Sequence, residues 1–319
     1  MPHNPEPSGI QALAAALQEA RGRRVVFVHS PLTADLVPIL YACLRRAGHV
    51  DDLDLVLSTS GGTITGTRQI AMLLREFTRR LTIGVPGRAR SSGTLLCLSA
   101  DELVLGPLAE LGPIDPTMES QGAIPSDAPG NISAEDIRAF RGLAGDWFGV
   151  TREEDQLQVL ALLATRIFPT SLASLYRFDK LVRGVAAELL EWQLPGDERE
   201  KERESIIDRL VSGYHTHDDV ICRRDARELG LRAVDATPEE EEIFWSLSQA
   251  LRPVTAPAVR SVGGAGEGQL AEGVTAVVAT SDFCARHVVS REDPAVAGNV
   301  PGAPGRPAPA MRVRWEIAD

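Results

Sequence analysis

Two adjacent hydroxyls open an apolar run in RARSSGTLLC, where Ser91 and Ser92 precede Gly93. A serine before a short helix is ordinarily an N-cap. It can also be a nucleophile, because the next backbone N–H and the helix dipole favour negative charge on a bound substrate. Gly93 would then leave room for an acyl group. Upstream, STSGGTITG puts Gly61 and Gly62 where a strand gives way to a helix. That turn needs no ligand, but its N–H groups are suited to an anion or a developing oxyanion. It carries neither the third glycine of a dinucleotide fingerprint nor a phosphate-loop lysine. Downstream, Asp115 sits in a GPIDP corner, as a turn aspartate or as the carboxylate that orients a histidine.

The histidine-dense stretch is His215-Thr216-His217-Asp218-Asp219. It reads as a polar loop, as two ligands of a metal site, or as the source of a general base. The neighbouring carboxylates match no metal spacing, so no metal is expected. His215 and Lys180 are the alternative bases. Lys180, in the helical YRFDKLV, would serve in a Ser–Lys dyad only as a desolvated amine, and a snorkelling or paired lysine is the ordinary reading there. His3, His29, His49 and His287 lack comparable company.

Four strands must carry these residues: RVVFVH (24–29), DLVLST (54–59), LTIGVP (81–86) and ELVLG (102–106). Helical spacing separates them, including Leu36, Val37, Leu40 and Leu44, then Ile70, Leu73, Leu74 and Phe77. Strands alternating with amphipathic helices predict an α/β fold with a mainly parallel sheet. Expected caps are Ser8 with Gln11, Thr33, Ser133 with Asp136, Thr151 with Glu154, and Gly48 at a C-terminus. SQGAIPSDAPGN (120–131) is a loop by composition, and helical periodicity runs from 133 to 213. The charged DEREKERE (197–204) reads as a solvated helix face. Residues 214–235 read as a loop, a short strand and a short helix closed by Gly230, and 239–251 as a further helix. The predicted division is a catalytic domain at 1–251, with 133–213 as a helical insertion or lid, and a Gly/Pro-rich tail at 252–319. That tail is expected to be partly disordered or to add edge strands, at 274–280 and 311–317.

A net charge of −11 argues against non-specific nucleic-acid binding, and 44% apolar content supports a sizeable core. Cys43, Cys97, Cys222 and Cys284 are widely spaced, which suits free thiols rather than a disulfide framework. No apolar run approaches the ~18 residues of a membrane span and no secretion signal precedes the first helix, so the expectation is a cytoplasmic protein.

DLDLVLSTSGG, RARSSGT, ADELVLGPLAELGPIDP and the later HD…ARELGL together resemble the serine dehydrogenase proteinase family, ClpP- and signal-peptide-peptidase-like serine hydrolases of the ClpP/crotonase superfamily. The likeness runs from about residue 20 to 235 and is densest over 52–116. It implies a ClpP/crotonase-like fold of repeated β-β-α or βαβ units with an added helical region. It implies Ser91 as nucleophile, His217 as base and Asp115 as orienting acid, with aspartate and histidine exchanged relative to ClpP. The oxyanion hole would come from the N–H of Gly62 or Gly61 with that of Ser92. Ser92 replaces the family's usual alanine, and Asp219 stands where an aromatic residue is usual. The implied activity is peptidase chemistry on a peptide or protein substrate, without a cofactor, in a homo-oligomer. Two other readings belong to the same frame: an acyl-CoA enzyme of the crotonase kind, and a catalytically silent scaffold or partner-binding relative.

Overall fold

RVVFVH becomes strand β1 (Arg24–His29), and its unbroken apolar run is explained by burial on both faces. Val26 and Val28 point into one core, and Val25 and Phe27 into another on the opposite side of the sheet. The computed structural model describes residues 6–119, 131–167, 169–255, 273–291 and 311–318. His3 and all of the 120–131 loop but Asn131 lie outside these residues.

In chain order the first half comprises α1 (Pro7–Arg21), β1, α2 (Leu36–Ala47), β2 (Val50–Ser58), α3 (Ile64–Phe77), β3 (Thr78–Val85), α4 (Ser92–Cys97) and β4 (Glu102–Leu105). A short hairpin, β5 (Thr117–Glu119) with β6 (Asn131–Ser133), leads to helices α5 (Ala134–Asp146), α6 (Glu153–Arg166), α7 (Pro169–Gln193) and α8 (Glu200–Ser212). Then follow α9 (Arg223–Glu228), β7 (Ala233–Asp235), α10 (Pro238–Leu251), β8 (Gly273–Ala279), β9 (Cys284–Arg291) and β10 (Met311–Ala318).

These strands form an eight-stranded sheet in the order β10-β9-β8-β1-β2-β3-β4-β7. The run from β1 to β7 is parallel, and β8 to β10 add an antiparallel wing. From β1 to β4 the repeating unit is strand–helix–strand. Helices α2, α3, α4, α7 and α8 pack on one face, with Leu40, Ile70, Leu96, Leu189 and Leu210 meeting Leu55, Ile83 and Leu103. Helices α1 and α10 cover the other, where Leu17 and Phe244 meet Phe27, Val56 and Val104. Each fully buried aliphatic or aromatic side chain contributes ~1.5–3 kcal/mol.

Some local expectations shift. Pro7 starts α1 one residue before Ser8, because proline's fixed φ favours the first helical position, so Ser8 lies inside the helix and caps nothing. Thr33 gives its carbonyl to the Leu36 N–H while Asp35 is the N-cap of α2. Arg152, not Thr151, precedes α6. Ser133 and Asp136 form the expected capping box, and Gly48 closes α2 with φ 73°. The short strand of the 214–235 stretch follows its helix rather than preceding it. Among the described residues no single helix is long and apolar enough to cross a membrane. Cys43, Cys97 and Cys284 are buried free thiols and Cys222 is exposed.

Candidate active site

The chemistry-bearing loops leave the C-terminal ends of β2, β3 and β4, where an α/β sheet exposes its helix starts and loop amides. Past the strands these loops zip together. Thr59 N–H donates to Arg88 O at 2.8 Å, Ala89 N–H to Glu110 O at 2.8 Å, and Leu32 N–H to Gly61 O at 2.9 Å.

Ser91 immediately precedes α4 with φ 53° and ψ −119°, the only non-glycine residue at positive φ among those described. Such a conformation costs ~1–3 kcal/mol and persists only where the surroundings impose it. Its side chain makes no hydrogen bond among the described residues and lines a cavity of about 340 Å³. Gly62, Leu95, Ile114, Asp115 and Phe178 share that lining.

Ser92 has another task. It is buried, and its Oγ donates to Gly62 O at 3.0 Å, fastening the glycine loop to α4. The pair of hydroxyls is therefore divided, one free in the cavity and one holding a wall. The glycines divide too. Gly61, at φ 123°, donates its N–H to Thr59 Oγ1 at 3.1 Å. A Cβ on it would stand 3.2 Å from Ser91 Cβ, so this glycine shapes the turn and seats the serine. Its amide is already committed to the Thr59 hydroxyl, which leaves Gly62 as the glycine whose N–H is free among the described residues. The N–H groups of Gly62 and Ser92 have no acceptor among the described residues. Gly93 does not make room for an acyl group. It is buried against Thr59, whose Cγ2 a Cβ would approach to 2.5 Å.

Asp115 is 6% exposed, and its Oδ1 lies 2.7 Å from His217 Nδ1. That contact leaves Nε2 as the free ring nitrogen. The bond to Asp115 holds the imidazole pKa above its ordinary 6.5, against the opposing effects of burial and of the Arg90 charge. The loop bearing His217 is docked rather than loose. Leu111 and Ile221 exchange backbone hydrogen bonds at 3.0 Å, and Ile114 N–H donates to Leu210 O at 3.0 Å. Asp219 Oδ2 accepts the N–H groups of His215 (2.9 Å) and Thr216 (3.2 Å), which explains a carboxylate at that position.

Arg90 was not among the residues singled out in the sequence. Its Nη2 donates to His217 O at 3.3 Å and Asp219 O at 3.2 Å. It crosses Gly112, where a Cβ would lie 3.2 Å from Arg90 Nε. The residue preceding Ser91 thus clamps the loop that presents His217. No hydrogen bond joins Ser91 to His217 among the described residues.

The remaining candidates fall elsewhere. Lys180 is exposed on α7 with Nζ 5.6 Å from the Tyr176 ring centroid, and is absent from the cavity lining. His215 is exposed. Among the described residues no cluster of three or more His, Cys, Asp or Glu side chains could hold a metal ion. A larger cavity, about 670 Å³, lies across the 58–60 and 87–88 loops, lined by His29, Ser58 and Trp245. Burial lowers the His29 pKa to about 4, and its Nδ1 pairs with Ser58 Oγ at 2.9 Å. Despite its size it holds neither the strained serine nor Asp115, both of which line the smaller cavity; His217 is not in that lining and reaches the site through its contact with Asp115.

The frame is mixed α/β with an eight-stranded, mainly parallel sheet, and it brings a serine at a helix start and Asp115 to one cavity, with His217 bound to Asp115. Residues 26–128 match the family model of ClpP-like SDH-type serine proteinases, the family that the sequence motifs resemble. The match spans about a third of the chain; it includes the glycine pair, Ser91 and Asp115 and ends before His217. An uncharacterized protein of Methanocaldococcus jannaschii is 29% identical over 223 residues, covering 70% of this chain and 68% of its own length. A second from the same organism is 28% identical over 188 residues, covering 59% of this chain and 54% of its own. The chain thus spans about two thirds of one curated relative and about half of the other. Among solved structures, a mutant of the membrane-bound stomatin-specific protease 1510-N aligns with 66% of this chain and 78% of its own, at 13% identity and a TM-score of 0.40.

Proposed function

We propose that the chain is a serine peptidase of the ClpP/crotonase superfamily that works through an acyl-enzyme. Ser91 Oγ attacks the carbonyl carbon of a peptide bond as His217 Nε2 takes the hydroxyl proton. Asp115 fixes the ring so that Nε2 faces outward, and stabilises the imidazolium that forms. The oxyanion lies between the N–H groups of Gly62 and Ser92. His217 then returns the proton to the leaving amine, and water repeats the sequence to release the acid.

The observation that carries this reading is the His217–Asp115 contact, made from a loop that Arg90, the residue next to Ser91, holds by two hydrogen bonds. The open step is closure of Ser91 onto His217, and catalytic hydrogen bonds often tighten only when substrate is bound. A fluorophosphonate probe tests it. Wild type should be labelled, Ser91→Ala should not, and Ser92→Ala should keep the label. Equal labelling of wild type and Ser91→Ala sinks the assignment. Acyl-CoA binding without labelling would favour the crotonase-type enzyme. Absence of both, and of cleavage of a broad peptide library, would favour the silent scaffold.

A further inference from the structure

Strand β10 closes the antiparallel side of the sheet, and among the described residues its outer edge pairs with nothing. It is eight residues long, MRVRWEIA, without proline or glycine. Val313 and Ile317 are 53% and 47% exposed, flanking Trp315 on the same face. Trp315 packs on the main core and against the His287 ring, 5.1 Å between centroids. The opposite face carries Arg314 and Glu316. An edge of this length is a template for another strand unless a device blocks it.

We propose that β10 pairs antiparallel with β10 of a second copy of this chain, about a two-fold axis at Trp315. The sequence of the strand selects both partner and register. With Trp315 opposite itself, Val313 faces Ile317 of the second copy and Arg314 faces its Glu316, each pair occurring twice. Directly opposed side chains share a face, so apolar residues meet apolar ones while opposite charges meet on the other side. Moving the axis to Arg314 or to Glu316 sets like charges against each other. Moving it between residues sets Arg314 against Trp315 and turns the apolar stripe onto the charged one. Of the registers centred on residues 314 to 316, this is the one that sets no like charges opposite each other, and it is symmetric, as an isologous interface requires. Arg314 and Glu316 already contact within one strand, Nε to Oε1 at 2.8 Å, and Glu316 also lies 3.8 Å from Arg286 of β9; in the pair Arg314 and Glu316 each gain a counterpart across the axis.

The test is mass in solution by light scattering and sedimentation on the full chain. Wild type should run at twice the monomer mass. Arg314→Glu and Glu316→Arg should each run as monomers, because each creates two like-charged pairs. A mixture of the two variants should recover the dimer as a heterodimer, since every opposed pair is then Glu with Arg. The double variant Arg314→Glu/Glu316→Arg should dimerise alone. The recovery arms distinguish a lost interface from a misfolded variant. A monomeric wild type, a single variant that keeps the wild-type mass, or a mixture that stays monomeric would each overturn the proposal, the second pointing to a different interface.

Discussion

Ser91 carries the backbone strain and, in the proposed mechanism, the nucleophile, and the two separate by substitution. Ser91→Ala and Ser91→Gly both remove the hydroxyl, and either should lower turnover by ~10⁴ or more. Only glycine relaxes the positive φ, so Ser91→Gly should be about 1 kcal/mol more stable than Ser91→Ala in urea unfolding. A second residue-scale expectation concerns pH. If His217 is the base it must be neutral to accept a proton, and its pairing with Asp115 raises its pKa from 6.5. The acidic limb of kcat/KM should therefore lie above that value, with activity rising with pH through it. Asp115→Asn removes the main raising influence, so the limb should move down while kcat falls by about 10⁴-fold. Arg90→Gln removes a lowering charge and loosens the loop, so the limb should move up while kcat drops roughly 10²-fold. Arg90→Lys keeps the charge without the reach to two carbonyls, so kcat should fall with little movement of the limb. A limb that ignores both positions would break the link between Asp115, Arg90 and the base. Serine and aspartate are ordinary cap and turn residues, so the sequence marked Ser91, Asp115 and His217 only through the motifs around them, RARSSGT, GPIDP and the HTHDD stretch. It did not display the division between Ser91 and Ser92, which depends on where Gly62 O stands, nor Arg90, an arginine in an arginine-rich chain until its partners 127 and 129 residues away are seen.

At the scale of elements, the site is a junction of three strand-to-helix loops, and its geometry depends on how closely α4 approaches the end of β2. Thr94 Oγ1 donates to Ala89 O at 3.0 Å and accepts from Gly112 N–H at 2.9 Å, linking the helix to the corner that leads to Asp115. Gly93 allows the contact with Thr59. Gly93→Ala should destabilise the protein by ~1–3 kcal/mol and displace Ser91, because the new methyl overlaps Thr59 Cγ2. Thr59→Ser deletes that methyl but keeps the hydroxyl that holds Gly61. In the double variant most of the lost stability and labelling should return. A cycle of thermal melts that is merely additive would place the strain elsewhere. Periodicity revealed the parallel strands and their helices because each is locally amphipathic or β-branched. It located β8 and β10 but not β9, whose CARHVVSR interrupts its apolar residues with arginine and histidine. The ladder joining Thr59, Ala89 and Glu110 was equally invisible, since it consists of backbone bonds between loops.

For the whole molecule, the sheet's second face depends on one ionic junction. The Arg21 guanidinium at the end of α1 binds both the Asp54 carboxylate of β2 and the Glu240 carboxylate at the start of α10. Both carboxylates are almost fully buried, at 2% and 5% exposure. Nothing in the sequence pairs positions 33 and 219 residues apart; only the stacking of α1 beside α10 brings them together. Arg21→Met would keep much of the packing and strand two buried negative charges. Loss of one partner from a buried pair costs about 3–5 kcal/mol, and the lower end applies because Arg23 remains 3.6 Å from Asp54. The pH dependence follows from Glu240. Burial alone would raise its pKa, but the Thr237 N–H and the Arg21 guanidinium together hold it below 4.5. A depressed carboxylate contributes stability that is present above the unfolded value and is lost as pH falls through the folded one. Wild type should therefore lose stability steeply below about pH 4.5. In Arg21→Met the Glu240 pKa rises toward or past that of the unfolded chain, so the loss with acid should flatten. Chemical unfolding at pH 7 and pH 4 measures both. If the wild-type advantage over Arg21→Met is as large at pH 4 as at pH 7, the charges are not what joins α1 to α10, and the apolar contacts of Leu17 and Phe244 carry that face alone.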